Sequence, residues 1–142
     1  MAGYSGTPLP QKLGIKPGHR VALLNAPDGF DDTLGHLPDD TSVQRSLPAT
    51  APLDVIVAFF TERTTFASTL APMRRRMTQA GGLWIAWPKR ASKVPTDITE
   101  DVVRDIALPT GLVDNKVCAI DTTWSGLRLV IRREHRTRRA QG

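Results

Sequence analysis

The sequence is poor in the residues that build disulfides and metal sites. Its one cysteine, Cys118, excludes a disulfide within the chain and any site that needs several cysteines. Its three histidines, His19, His36 and His135, are widely separated, and none is paired with another ligand at the spacing of a zinc site. We therefore expect no metal ion in this protein.

Long apolar segments are also missing. The longest strongly apolar run, residues 55–60, has six residues, whereas a membrane-spanning helix needs about 20. Residues 1–10 contain neither the basic start nor the apolar stretch of a secretory signal. The sequence therefore predicts a cytoplasmic protein without membrane contact.

No complete catalytic or nucleotide-binding motif occurs. The turn after the first predicted strand, residues 25–29, has a single glycine, and Pro27 removes a backbone amide from it. A turn that binds a dinucleotide needs several glycines so that the backbone can approach the pyrophosphate. The Walker pattern is absent, and no serine has a histidine and an acid at a recognisable spacing. The motifs therefore predict no cofactor and identify no catalytic residue, and they leave open whether the protein is an enzyme, with a non-enzymatic role favoured.

Positive charge is concentrated at the end of the sequence. The chain has a formal net charge of +5, and most of this charge comes from residues 132–142. That segment contains five arginines, namely Arg132, Arg133, Arg136, Arg138 and Arg139. Two interpretations remain open, a solvated disordered end or a contact with the phosphates of a nucleic acid.

The pattern of apolar segments predicts one α/β domain. Glycine and proline are frequent in residues 1–18, which predicts an extended arm. Residues 19–132 form the predicted domain, and residues 133–142 form the predicted basic, disordered tail. Short runs that are apolar on both faces predict buried strands at 20–24, 54–60 and 83–87, and residues 42–47 predict a weak edge strand.

Helical patterns alternate with these strands. A short helix is predicted from Phe30, and a longer one over 62–80, ended by Gly81 and Gly82. Asp97 and Glu100 have the spacing of a capping box, which predicts a helix that starts at Asp97. Two strands, 112–120 and 127–132, predict a closing antiparallel hairpin. The expected fold is a three-layer sandwich with a mostly parallel central sheet.

The expected topology places any ligand site at one edge of the sheet. Ligands of open α/β sheets bind beyond the carboxyl ends of the strands, and the loops after the strands meet there. We predict a rim that binds a small polar ligand and contains Asn25, Asp28, Glu62, Arg63, Trp87, Lys89, Arg90, Lys93, Asp121 and Trp124. Purely structural roles, in capping helices or holding turns, are the alternative for these residues.

Several stretches resemble a bacterial family of unknown function, numbered three thousand and fifty-two. They are YSGTPL at 4–9, KLGI at 12–15, APDGF at 26–30, LWIAWPK at 83–89, TEDVVR at 99–104 and GLVDNKVCAIDTTWSGL at 111–127. The resemblance implies a small single-domain bacterial protein and implies no activity.

The order of elements also resembles the Rossmann-like fold of S-adenosylmethionine-dependent methyltransferases. The resemblance rests on KPGHRV at 16–21, DVIV at 54–57, GGLWI at 81–85 and the closing hairpin. It implies a shortened methyltransferase-like shell, for which S-adenosylmethionine is the implied cofactor. The sequence departs from the family pattern at two points. It lacks the glycine-rich turn after the first strand, and it lacks the acidic residue at the end of the second strand that would hold the ribose.

These observations favour a non-enzymatic binding or regulatory protein whose rim takes a small polar ligand or a protein partner. One alternative is a divergent S-adenosylmethionine-dependent methyltransferase-like enzyme. A further alternative is association with nucleic acid through the arginine-rich tail. The oligomeric state is open.

Overall fold

The structure is a computed structural model, and it describes residues 7–135. Within this part of the chain, six strands and four α-helices follow one another. They are α1 (Leu9–Leu13), β1 (Arg20–Leu24), α2 (Phe30–Leu34), β2 (Ser42–Gln44), β3 (Leu53–Phe59), α3 (Arg63–Arg76), β4 (Met77–Pro88), α4 (Glu100–Ala107), β5 (Leu112–Ala119) and β6 (Trp124–Ile131).

All six strands form one sheet in the order β2-β1-β3-β4-β6-β5. The pairs β1–β2, β1–β3 and β3–β4 are parallel, whereas β6 runs antiparallel to both β4 and β5. Five strands therefore end at the same edge of the sheet, which we call the carboxyl edge. The short β2 lies at one border of the sheet, as the polar character of residues 42–47 predicts.

Helices cover both faces of the sheet, which confirms the predicted α/β three-layer fold. Phe66, Leu70 and Met73 of α3 and Val103 of α4 pack on one face. Leu13 of α1, with Phe30 and Leu34 of α2, packs on the other face. The central strands are buried on both sides, and this explains why their sequences are continuously apolar rather than alternating.

The predicted extended arm contains a short helix, α1, and residues 1–6 of the arm lie outside the described residues. The indole Nε1 of Trp84 donates a hydrogen bond to the carbonyl oxygen of Leu13 at 2.9 Å. The Nζ of Lys12 donates to the carbonyl oxygen of Ala119 at 3.0 Å. Because the last carbonyls of a helix have no partner within the helix, Trp84 satisfies one of them and fastens α1 to the sheet.

The prediction of a helix over 62–80 was wrong at its end. The helix α3 stops at Arg76, and Gly81 and Gly82 lie inside β4 instead of ending the helix. A Cβ on Gly81 would stand 3.0 Å from the backbone oxygen of Asp54, and one on Gly82 would stand 2.5 Å from Nε of Arg128. Gly81 therefore permits close approach of the β3 backbone, and Gly82 leaves room for the guanidinium of Arg128, and both requirements come from the tertiary structure.

The predicted start of α4 was also wrong. Thr99, not Asp97, is the N-cap of α4, and its Oγ1 accepts a hydrogen bond from the amide of Val102 at 3.2 Å. The carboxylate of Asp97 accepts instead from the amide of Arg63 at 2.7 Å. Asp97 therefore caps a different helix, α3, whose own N-cap residue makes no side-chain cap.

Arg104 joins α4 to the hairpin. Its guanidinium pairs with Asp114 on β5 at 2.9 Å and with Glu100 and Asp101 on its own helix. The hydrogen bonds to Asp114 and then to Glu100 raise the pKa of Arg104, so the guanidinium stays charged. None of the helices in residues 7–135 is long and apolar enough to cross a membrane.

Candidate functional site

The closing hairpin turns at the carboxyl edge, because β5 runs parallel to β4. Trp124 opposes Pro88 in the β4–β6 ladder, and the amide of Lys89 donates to the carbonyl oxygen of Thr123 at 2.7 Å. The hairpin turn therefore lies beside the loop after β4. Trp124 itself is the first residue of β6, whereas the sequence predicted it in the connecting loop.

A crevice opens between the ends of β1 and β3. The chain crosses from β1 to β2 on one side and from β3 to β4 on the other, so the connections diverge between β1 and β3. Asn25 adopts a positive φ of 58°, which asparagine tolerates better than most residues. Its Nδ2 donates to the carbonyl oxygen of Phe59 at 3.2 Å. The side chain of Asn25 therefore bridges the two strands where ligands of α/β sheets bind.

Two cavities meet at Asn25, and we call them together the switch-point crevice. The first holds about 420 Å³ and is lined by Leu23, Asn25, Ala26, Pro27, Asp28, Gly29, Phe30, Asp31 and Arg45. The second holds about 320 Å³ and is lined by Asn25, Phe59, Phe60, Thr61, Glu62, Thr65 and Trp124. Both volumes lie within the range of small-molecule sites.

Three aromatic rings form a wall of the switch-point crevice. The rings of Phe30 and Phe59 meet edge to face with centroids 4.9 Å apart. Phe59 and Trp124 meet in the same way at 5.1 Å. Phe30 and Phe59 are buried, whereas Trp124 is half-buried and therefore presents part of its ring to a ligand.

Carboxylates give the switch-point crevice a negative character. Asp28 and Glu62 are exposed, and neither forms an ion pair among residues 7–135. The hydroxyl of Thr65 donates to one oxygen of Glu62 at 3.3 Å. Among the described residues that line the crevice, Arg45 is the one cation, and it is paired with Asp31 at 2.8 Å. The crevice is therefore suited to a ligand that carries positive charge.

A third cavity lies on the other side of the hairpin and has the opposite charge. It holds about 520 Å³, and we call it the basic cavity. Its lining contains the predicted rim residues Trp87, Lys89, Arg90 and Lys93. The predicted rim is thus divided into an acidic part around Asn25 and a basic part after β4.

Two predicted rim residues line none of these three cavities. Arg63 begins α3, and its amide is held by Asp97. Asp121 is half-buried, and its Oδ1 accepts hydrogen bonds from the amides of Thr123 and Trp124, each at 2.8 Å. Asp121 therefore shapes the turn that positions Trp124.

Replacing Asp121 by alanine should lower the free energy of unfolding by about 2 kcal/mol, because two partly buried amides lose their acceptor. Asp121→Asn keeps an acceptor oxygen, so its free energy of unfolding should fall by less than half of that amount. Urea denaturation of both variants measures the difference. Equal losses in the two variants would show that charge, rather than the two hydrogen bonds, stabilises the turn.

His19, His36 and Cys118 do not line the switch-point crevice. His36 is exposed and lines a cavity beside α1, as expected for a residue beyond the far end of α2. Nδ1 of His19 accepts from the amide of Lys16. Burial raises the pKa of Cys118, and the charges of nearby lysines offset this in part. The thiol is therefore a poor nucleophile.

Sequence reasoning missed Asp31, Arg45 and Phe59. Arg45 directly follows β2, so the rule that placed Asn25 at the carboxyl edge also applies to it. Phe59 ends β3 and reads as a core residue, and only its contacts with Asn25 and Trp124 show that it borders the crevice.

The arginine tail is described only at its start. Arg132 and Arg133 lie within the described residues, and the amide of Arg132 donates to the carbonyl oxygen of Gly111 at 2.8 Å. Arg136, Arg138 and Arg139 lie outside them, so the nucleic-acid hypothesis stays a prediction.

Solved S-adenosylmethionine-dependent methyltransferases resemble this structure. One from Aquifex aeolicus has a TM-score of 0.59 and 18% identity over 85% of this chain and 86% of its own. A TehB-like S-adenosylmethionine-dependent methyltransferase from Corynebacterium glutamicum has a TM-score of 0.57 and 13% identity over 92% and 91%. The ribosomal protein L11 methylase of Lactobacillus delbrueckii subsp. bulgaricus has a TM-score of 0.59 and 11% identity over 87% and 75%.

No family model matches the chain, and no curated protein matches its sequence. Membership of the numbered bacterial family therefore stays a prediction. The chain has the methyltransferase-like fold. At these low identities the likeness concerns the fold alone. In this methyltransferase-like chain, the residue that follows the second strand is Arg45 and not an acid.

Proposed function

We propose that this protein binds S-adenosylmethionine in the switch-point crevice, as a divergent protein of the methyltransferase-like fold. The observation that carries the proposal is the position and lining of the crevice. It lies where the strand connections diverge, and it combines an aromatic wall with carboxylates that have no cationic partner among residues 7–135.

The crevice suits the sulfonium of S-adenosylmethionine. A cation is attracted to the face of an aromatic ring and to a nearby carboxylate. Trp124 and Glu62 line the same cavity and supply these two groups. Asp28, in the adjoining cavity, offers carboxylate oxygens to the hydroxyls of the ribose. Bound there, S-adenosylmethionine would supply a methyl group that a nucleophile can attack.

The crevice is less suited to the amino-acid end of that ligand. The turn after β1 lacks the glycines that let several amides approach an anion, and Pro27 has no amide to donate. Arg45 could bind a carboxylate only by giving up its pair with Asp31. We therefore propose recognition of the cationic, adenosyl part, and the described residues of the crevice provide only carboxylates as proton acceptors.

A second candidate is a binding protein without catalysis, whose crevice takes another small cationic ligand. The Arg45–Asp31 pair favours it, because the position after β2 then holds an ion pair instead of an acid free to bind ribose. Both candidates use the same crevice. They differ in whether S-adenosylmethionine binds at all.

Calorimetric titration with S-adenosylmethionine and with S-adenosylhomocysteine tests the proposal, because only the first carries the sulfonium. Glu62→Gln should weaken binding of S-adenosylmethionine about fivefold and leave S-adenosylhomocysteine unchanged, as expected for one exposed charge pair. Asp105→Asn is the matched control, since Asp105 is an exposed carboxylate on α4 outside all three cavities.

Two results would contradict the proposal. Absence of binding heat with both ligands would rule out S-adenosylmethionine as the ligand and would leave the second candidate function. Equal weakening by Glu62→Gln and Asp105→Asn would show that the effect comes from net charge and not from the crevice.

A further inference from the structure

The basic cavity carries three cations close together in the chain. Lys89, Arg90 and Lys93 all line it, together with Trp87 and Ser125. Lys89 is half-buried, and the other two cations are exposed. Its volume of about 520 Å³ is enough for a small organic molecule.

These cations have no acidic partner among the described residues. The ion pairs of residues 7–135 involve Arg45 and Arg104, and none involves Lys89, Arg90 or Lys93. Glu100 also lines the cavity, and its carboxylate shares Arg104 with Asp101 and Asp114, so the lining carries three cations against one carboxylate. The cavity therefore has an uncompensated positive charge that an anion would neutralise.

The backbone of the loop is held in place without a ligand. The hydroxyl of Ser92 donates to the carbonyl oxygen of Lys89 at 2.7 Å and accepts from the amide of Val94 at 3.2 Å. Lys93 has a positive φ of 64°, and Pro88 and Pro95 lie on either side of the loop. The cations thus extend from a fixed loop, which reduces the entropy lost when a ligand binds.

Uncharged donors add to the cations. Trp87 is 7% exposed, and its indole N–H makes no hydrogen bond within the described part of the chain. The hydroxyl of Ser125 lies in the same lining. A phosphoryl group carries about two charges and three terminal oxygens, so it can use several of these donors at once, whereas a monocarboxylate can use fewer.

We propose that the basic cavity binds the phosphoryl group of a small phosphorylated molecule. The occupant is distinct from the ligand of the switch-point crevice, because the two sites have opposite charge. The proposal does not depend on S-adenosylmethionine. Inorganic phosphate and pyrophosphate are the simplest probes of the shared chemistry.

Calorimetric titration at constant ionic strength, with acetate as the reference anion, tests this proposal. Phosphate and pyrophosphate should bind, pyrophosphate more tightly, and acetate should not. The variant Lys89→Gln/Lys93→Gln should weaken pyrophosphate binding at least tenfold, because a hydrogen bond to a charged group is lost at each position. Lys16→Gln/Arg75→Gln removes the same charge at exposed positions outside the cavity and should leave binding unchanged.

The anion titration of the basic cavity and the S-adenosylmethionine titration of the crevice can succeed or fail independently of each other. Both variants should keep the wild-type melting temperature and the wild-type response to S-adenosylmethionine. Equal weakening in the two double variants, or acetate binding as tight as phosphate binding, would overturn the proposal. So would binding of duplex DNA without binding of pyrophosphate, because the site would then serve a long polyanion.

Discussion

Replacing Trp84 by alanine should lower the free energy of unfolding by about 4 kcal/mol, the largest loss that we expect from one substitution in this chain. The side chain is 0% exposed and lies between α1 and the centre of the sheet. Alanine would leave a cavity there and would also remove the hydrogen bond to Leu13. Urea denaturation monitored by far-ultraviolet circular dichroism measures the loss.

Trp84→Phe separates packing from hydrogen bonding. Phenylalanine fills most of the space but leaves the carbonyl oxygen of Leu13 without its donor, so we expect a loss of about 2 kcal/mol. α1 should also exchange its amide hydrogens faster in this variant, because its attachment to the sheet is weakened. Unchanged exchange in α1 together with a small loss of stability would contradict the role that we give to this bond.

Replacing Trp124 by alanine should weaken the binding of S-adenosylmethionine about 30-fold, which corresponds to about 2 kcal/mol for a partly desolvated cation on an indole ring. The ring borders the crevice and packs against Phe59 at 5.1 Å. Calorimetric titration measures the effect. Because Trp124 is half-buried at the start of β6, stability should fall as well, so the titration is done well below the melting temperature.

Trp124→Phe and Trp87→Phe provide the controls. Phenylalanine at position 124 keeps an aromatic face and should restore most of the affinity. Trp87 lines the basic cavity and not the crevice, so Trp87→Phe should leave the affinity for S-adenosylmethionine unchanged. A loss of affinity in Trp124→Phe as large as that in Trp124→Ala, or a comparable loss in Trp87→Phe, would count against recognition by the ring of Trp124.

The buried strands were predictable because the pattern that defines them is local. β1 and β3 coincide closely with the apolar runs at 20–24 and 54–60, and the direction of β5 followed from the alternation of strands and helices. The arrangement of loops at the carboxyl edge follows from this topology. Asn25, Glu62 and Trp124 could therefore be brought together from the sequence alone.

The errors occur where a residue serves a distant partner. Gly81 and Gly82 resemble a helix end, but they are glycines because Asp54 and Arg128 approach them from neighbouring strands. Asp97 resembles the cap of the helix that follows it, but it caps α3 across the surface. Local pattern cannot distinguish these roles, since each depends on contacts between residues far apart in the chain.

The division of the rim into two parts was also beyond the sequence. Lys89 and Glu62 were both placed at the carboxyl edge, yet they line separate cavities of opposite charge. The pairing of Arg45 with Asp31 decides the charge of the crevice, and it depends on how α2 and β2 face one another. Such ion pairs can be identified only once the packing of the helices and strands is known.

Titration of the ¹⁵N-labelled protein with S-adenosylmethionine, followed by amide chemical shifts, tests most directly whether the crevice at Asn25 binds this ligand. We predict saturable shifts at Asn25, Gly29 and Glu62, with small shifts at Lys16 on the opposite edge. Shifts that cluster away from the switch-point crevice, or no shifts at millimolar ligand, would contradict the account.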